Sequence, residues 1–222
     1  MQAYSNSFCV TSSSFLATGK FLTDRFTSSE LMPFDFTPEF NPGSLLIATE
    51  LLSETPFQQA VIFILQSNKL GTIGVTLNQP ANEEIKSAWK KLTGQSLDER
   101  CLVSGGPING PVFAIHQNQL LGEIEMPGGI FVTAQTNKFR ELIDLNNTPY
   151  RIAFGIVGWK PGQLKSEVNH GYWYCIRNSS ADQIFSDPDD LWSDAMKRHG
   201  KSVLREILGK TKFQFPNTPL DN

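Results

Sequence analysis

A chain of 222 residues, 40% hydrophobic and 18% charged, has ordinary globular composition and enough length to bury a core without disulfides. Its 19 basic and 22 acidic residues give a formal charge of −3, so bulk electrostatics offer no attraction to a nucleic-acid backbone. The three cysteines, Cys9, Cys101 and Cys175, are widely spaced with no C-x-x-C, which argues against zinc or a redox pair and suits a reducing cytoplasm.

Residues 1–41 read as an N-terminal arm, rich in Ser and Thr yet carrying Phe8, Phe15, Phe21, Phe26, Phe34, Phe36 and Phe40. Disordered tails are usually aromatic-poor, so part of this arm is expected to dock on the core or on a neighbouring subunit; a loose terminus is the plain alternative. Only Lys20 and Arg25 support a transit peptide, and no charged n-region with an apolar h-region marks a secretory signal. No apolar run approaches the roughly 18 residues of a membrane span.

One α+β domain is expected over residues 42–209, opening at Pro42-Gly43, with a loose tail over 210–222. Short apolar, β-branched runs predict strands at Ser44–Ala48, Ala60–Gln66 and Thr72–Asn78, the last two pairing across a Ser67–Gly71 hairpin loop. Ile85, Ala88, Trp89 and Leu92 recur at helical spacing and predict a helix over Ala81–Thr93, stopped by Gly94. Strands follow at Cys101–Val103, Pro111–Gln117 and Gly129–Ala134, then a helix over Asn137–Leu145, a strand at Tyr150–Val157 and another at Tyr172–Arg177. Asp187-Pro188 suits the start of a helix that Gly200 ends, with a further short helix over 202–208. The total is about eight strands and four helices, the strands running consecutively with helices inserted irregularly, which favours α+β over a doubly wound sheet.

The chemistry-bearing candidates are few. Ser104-Gly105-Gly106-Pro107 follows a strand; its glycines permit close backbone approach or an anion nest, but it lacks the P-loop lysine, and a tight structural turn fits as well. Ser104, Cys101 or Cys175 with His116 would make a hydrolase-like nucleophile and base only if the fold brought them together, and Ser104 does not stand in a G-x-S-x-G elbow. His116, His170 and His199 have no metal-ligand spacing, and no cofactor is expected. Lys197, Arg198, Lys201, Arg205, Lys210 and Lys212 form the one basic cluster, which would meet nucleic acid or an acidic partner, or would be a solvated helix face.

The densest feature is Phe154–Val168, an apolar strand running through Gly158-Trp159 and Pro161-Gly162 into a helix start. Gln163 and Glu167 are four apart, hence on one helix face beside Trp159, forming either a small-ligand edge or an internal hydrogen-bond clamp.

Taken in order, these motifs resemble the AlgH-like (YqgE-type) family. The matching elements are Gly43–Ala48, Pro56-Phe57 with Ala60–Leu65, Gly71–Asn78 with Pro80, Ser104–Pro107, Ile115-His116, and Gly155-x-x-Gly158-Trp159 through Gly162-Gln163-Leu164, with Phe185 and Trp192 at C-terminal positions. Gln59 and Gln79 stand where the family usually has Arg, Lys165 where it has an acid, and Ile156-Val157 where it has Tyr-Ala. An amide in place of a guanidinium would lose any anion contact that those arginines make in relatives. The resemblance implies a single domain with a small closed or bifurcated mixed β-sheet surrounded by helices. It also implies a regulatory protein, relatives being labelled transcriptional regulators, although the acidic chain has no recognisable DNA-reading helix. The expectation is a non-enzymatic binding or regulatory protein. Its ligand or partner surface, for a protein or small molecule, would be drawn from Asn78, Ser104, Gly105, Gly106, Pro107, His116, Trp159, Gly162, Gln163 and Glu167.

Overall fold

Nearly continuous apolar strands, buried on both faces, organise the chain. A computed structural model describes residues 40–98, 100–177 and 179–210, and the expected docking arm over most of 1–41 and the expected tail beyond Lys210 lie outside them. The strands are β1 (Leu45–Ala48), β2 (Val61–Asn68), β3 (Gly71–Thr76), β4 (Leu102–Ser104), β5 (Ile108–His116), β6 (Ile124–Met126), β7 (Ile130–Thr133), β8 (Tyr150–Trp159) and β9 (Trp173–Ile176). The helices are α1 (Glu83–Thr93), α2 (Thr136–Leu145), α3 (Gln163–Asn169), α4 (Ala181–Ile184) and α5 (Pro188–Lys210). The sheet runs β6-β7-β5-β8-β3-β2-β1-β9 and is antiparallel along that path, while β4 adds a parallel pairing to β8. It is therefore a mixed sheet that branches at β8, as the bifurcated alternative anticipated.

The branch has a definite construction. On one edge, β8 pairs with β4 over Ile152–Phe154 and with β3 over Val157–Trp159; on the other it pairs with β5 from Tyr150 to Ile156. β4 is wedged between β8 and the continuation of β3, because Ser104 N–H donates to the Gln79 carbonyl (2.9 Å) and Thr76 N–H to the Gly105 carbonyl (2.8 Å). To pass from β4 to β5, Gly105-Gly106-Pro107 must cross the backbone of β8. The crossing falls at Gly155 (φ +80°), where a Cβ would lie 2.8 Å from the Gly106 carbonyl oxygen and 2.9 Å from that of Ile108. Side chains at Gly105 and Gly106 would likewise meet the Gly155 and Ile156 carbonyls. Three glycines thus allow two backbones to stack.

Gly155 also shifts the phase of β8. Ile152 and Phe154 pack with the α1–α2 side of the sheet, around Trp89, Phe139 and Leu142. Past the glycine the odd residues Val157 and Trp159 take that same side, joining Leu46, Ile62, Leu164 and Trp173. The opposite side holds Leu45, Ile47, Phe63, Val75, Ile115 and Ala153 against Ile184, Leu191 and Ala195 of α4 and α5. An extra residue that flips side-chain direction is what a β-bulge supplies.

Several expected boundaries move. α1 begins at Glu83 because the Asn82 side chain caps it, accepting from Ile85 N–H; Leu92, expected on its buried face, is 37% exposed. β5 starts at Ile108, three residues before the expected Pro111, since the chain pairs with β8 as soon as it has crossed. β8 runs two residues past Val157, held by β3. β6 and the single-turn α4, with its Ser180–Gln183 capping box, are too short for periodicity to reveal. Gly200 does not end a helix: α5 continues as one 23-residue helix, and 202–208 is its second half, a helix-interior glycine costing only about 1 kcal/mol.

Gly155→Ala should lower stability by at least ~3 kcal/mol in urea denaturation, through backbone collision and a positive φ. Gly162→Ala, also at positive φ but with open space around it, should cost only ~1–2 kcal/mol. The reverse order would contradict the crossing.

Candidate functional site

The Phe154–Val168 element folds around one carboxylate. Trp159 ends β8, Trp173 begins β9 and Glu167 lies on α3 between them. Glu167 Oε2 accepts from the indole N–H of Trp159 (2.9 Å) and of Trp173 (2.8 Å), while Oε1 accepts from the Gln163 amide (2.9 Å). Gln163 Oε1 in turn accepts from Lys160 N–H (3.0 Å) and closes the turn into α3. The two indoles meet edge to face at 6.0 Å, and Phe57 packs edge-on against Trp173 at 5.7 Å. Both indoles are buried, with 5% and 2% exposure. β8 and β9 stand four strand positions apart, so this knot draws the sheet's edge strand toward its branching strand. Of the two arrangements open for Gln163 and Glu167, the structure has the internal clamp.

Other expected site residues are placed as follows. Asn78 is a clamp: its Oδ1 accepts from Val61 N–H and its Nδ2 donates to the Gln59 carbonyl, both at 2.8 Å. Gln79 donates from its amide to the Gln58 carbonyl, and Gln59 is exposed at φ +52°, so the two glutamines flank that clamp. Ser104, Gly105, Gly106 and Pro107 make the crossing over β8. Along β8, Gly155 and Trp159 are four residues apart, about 13 Å, so the crossing and the Trp159–Gln163 turn are separate places.

Ser104 and Cys101 lie on one edge of β8, paired with Phe154 and bonded to Ile152 N–H, whereas His116 lies on the other edge opposite Tyr150. Two strand spacings, about 10 Å, therefore separate the backbone of Cys101 from that of His116, and Ser104 stands a further four residues, about 13 Å, along β8. Cys175 is five strand positions from His116. Burial raises the pKa of both the Cys101 and Cys175 thiols above the ordinary value, which disfavours the thiolate. His116 is fully buried, stacked against Phe131 at 6.3 Å, and its Nδ1 accepts from Asn118 N–H (3.2 Å). Burial, assisted by the Lys138 charge, lowers its pKa to about 4, so it is a neutral core histidine. Among the described residues, no group of three or more His, Cys, Asp or Glu could hold a metal ion.

Sequence reasoning missed Arg151. The residue is 3% exposed, and its guanidinium donates to the Leu77 carbonyl (2.8 Å) and the Ser186 carbonyl (2.9 Å), tying the end of β3 to the entry of α5. Burial lowers its pKa to about 10. Inward alternation along β8 was the available signal: Arg151 shares its side of the strand with the buried Ala153.

Branching sheet, backbone crossing and tryptophan–carboxylate knot define a single mixed α+β domain with a curled sheet and five helices. The chain belongs to the AlgH-like family (DUF179), whose profile matches residues 45–204. Among relatives, a "UPF0301 protein" of Chlorobium limicola is 30% identical over 73% of this chain and 88% of its own length. One from Chlorobium phaeobacteroides is 31% identical over 71% and 86% respectively. The solution structure of the AlgH protein from Pseudomonas aeruginosa superposes with a TM-score of 0.57 at 22% identity, covering 80% of this chain and 96% of that one. A Corynebacterium diphtheriae crystal structure gives the same TM-score and identity over 72% and 89%. At that identity the likeness concerns the fold.

Glu167→Ala should cost ~2–4 kcal/mol in chemical denaturation, because it strands two buried indole donors and frees the turn amide. His116 sets a pH dependence. Unfolded, its pKa is about 6.5. Folded, it is about 4, so the unfolded chain takes up the proton first. Its contribution is complete above about pH 6.5 and drains away as pH falls toward 4. His116→Gln should flatten the stability profile within that window, measured by urea midpoints at several pH values.

Proposed function

We propose that this chain is a non-enzymatic binding or regulatory protein of the cytoplasm, presenting a rigid turn surface to a partner protein. The observation that carries this reading is the inward bonding of the Trp159–Glu167 element, whose polar side chains are engaged with one another. What the element leaves outside is a braced turn with Lys160, Pro161 and Gly162 exposed.

The β2–β3 hairpin tip stands beside it. Gly71 lies so close that a side chain there would meet the Trp159 carbonyl, which brings exposed Lys69 and Leu70 next to the turn. Leu70 is 54% exposed, and the Asn68 side chain fixes the tip by accepting from Leu70 N–H (2.8 Å). Two lysines around Leu70 and Pro161 suit an acidic segment with an apolar anchor. A pre-formed surface gives affinity at low ordering cost. The separation of Ser104 and Cys101 from His116 favours this reading over the hydrolase-like one.

Leu70→Asp with Lys160→Glu should leave folding stability within about 1 kcal/mol of the parent, as expected for surface sites. The pair should abolish enrichment of a partner that the parent chain retains from extracts of its own source. Equal retention by both proteins would count against this surface. Ester or amide turnover that disappears in Ser104→Ala would replace the reading with the hydrolase.

A further inference from the structure

The second half of α5 bears an apolar face that the other described residues leave in solvent. Leu191 and Ala195 are buried, Trp192 donates from its indole to the Ala48 carbonyl (2.8 Å), and His199 stacks on Tyr174 of the edge strand β9 at 4.2 Å. Beyond that contact the helix leaves the sheet: residues 200 to 208 are all exposed. Val203, Leu204 and Leu208 have 41%, 56% and 62% of their surface in solvent, with Ile207 at 58% alongside.

Part of this face leaves the buried stripe. At 100° per residue, Val203 falls on the row of Leu191, Trp192, Ala195, Met196 and His199, but Leu204 and Leu208 are turned by roughly 170° from its centre. Ser202 and Glu206 take the rest of that row. Leu204 and Leu208 therefore point away from the sheet that covers the first half of α5. Basic residues flank this face: Lys197, Arg198, Lys201 and Arg205 against Glu206 give +3 over 197–208.

The chain itself carries the complement. Segment 24–39 holds Asp24, Glu30, Asp35 and Glu39 against Arg25, a charge of −3, interleaved with Phe26, Leu31, Met32, Phe34 and Phe36. It leads directly into Phe40, which is buried beside Leu46 and Trp173. Those residues belong to β1 and β9, and β9 is the edge strand whose Tyr174 stacks on His199 of α5. Sixteen residues reach up to about 55 Å when extended, well beyond the roughly 20 Å of helix between Ala195 and Leu208. A second copy fits less well, because two α5 helices lying face to face would bring their basic flanks together.

We propose that the acidic, phenylalanine-bearing segment 24–39 covers the Val203–Leu204–Leu208 face of α5 in the same chain, as a strap around the β9 edge. Phenylalanines enter the apolar face and the carboxylates meet Lys201 and Arg205, so a rise in salt loosens the contact.

The test uses the full chain with a photo-crosslinking amino acid at position 204 or 208. Mass spectrometry should map adducts to residues 24–39, and mixing heavy- and light-isotope protein should give adducts within one isotope class only. Adducts joining two α5 helices, or adducts to added phosphatidylserine vesicles or RNA in place of 24–39, would overturn the strap. An independent reading comes from amide exchange over 200–208, which should speed up about tenfold in Phe34→Asp/Phe36→Asp while exchange in β1–β3 stays unchanged. Unchanged exchange over 200–208 in that variant would refute it as well.

Discussion

Two backbones stack at Gly155, and the sheet is arranged around that contact. Among the described residues β8 is the one strand that pairs with three others, and the chain must step across it to supply two of them, β4 and β5. A side chain at Gly105, Gly106 or Gly155 would collide with carbonyl oxygens of the other segment. With the crossing in place, β4 wedges the sheet open on one edge while β5 builds it on the other. The phase shift at Gly155 then delivers Trp159 to the side of the sheet where Trp173 and Phe57 pack. The Glu167 knot follows from that placement.

The same chain of causes bears on function. A glycine-rich turn after a strand, a tryptophan beside a carboxylate and an amide, and a serine near a histidine each carry a chemical suggestion when read separately. In the fold, the turn is a backbone crossing, the carboxylate holds two indoles and an amide, and the serine and histidine lie on opposite edges of one strand. Buried donors and acceptors satisfied by one another build rigidity and a unique arrangement. Among the exposed parts are the hairpin tip with Lys160–Gly162 and the far half of α5. Both combine apolar with basic residues, which suits recognition of acidic, apolar segments.

Much of this was legible in the sequence, for identifiable reasons. Strands β1, β2, β3 and β8 were visible because burial on both faces makes them nearly uninterrupted apolar runs, and α1 because Trp89 sits on a helical stripe capped by Gly94. The α+β class follows from consecutive strands with helices inserted irregularly, and the family from the order of the turn motifs. Short elements escaped: β6 has three residues and α4 four, below the length at which a period can be seen. Gly200 misled because propensity marks glycine as a helix end, while α5 runs through it with open space at that position. The role of Glu167 could be narrowed to ligand edge or clamp by its spacing from Gln163. Only the return of the chain to Trp173 decides between them, and that return is a tertiary fact. Arg151 escaped for the same kind of reason, since its partners Leu77 and Ser186 are remote in sequence.

The Gly158–Val168 element is a structural knot centred on Glu167. Hydrogen exchange of the indole N–H protons of Trp159 and Trp173, followed by heteronuclear magnetic resonance in the intact chain, reads it most directly. Both protons should be protected nearly to the level of global unfolding, since both are buried donors to one carboxylate. Exchange of either indole proton at the rate of a free tryptophan would contradict the knot and return Glu167 to the role of an open ligand site.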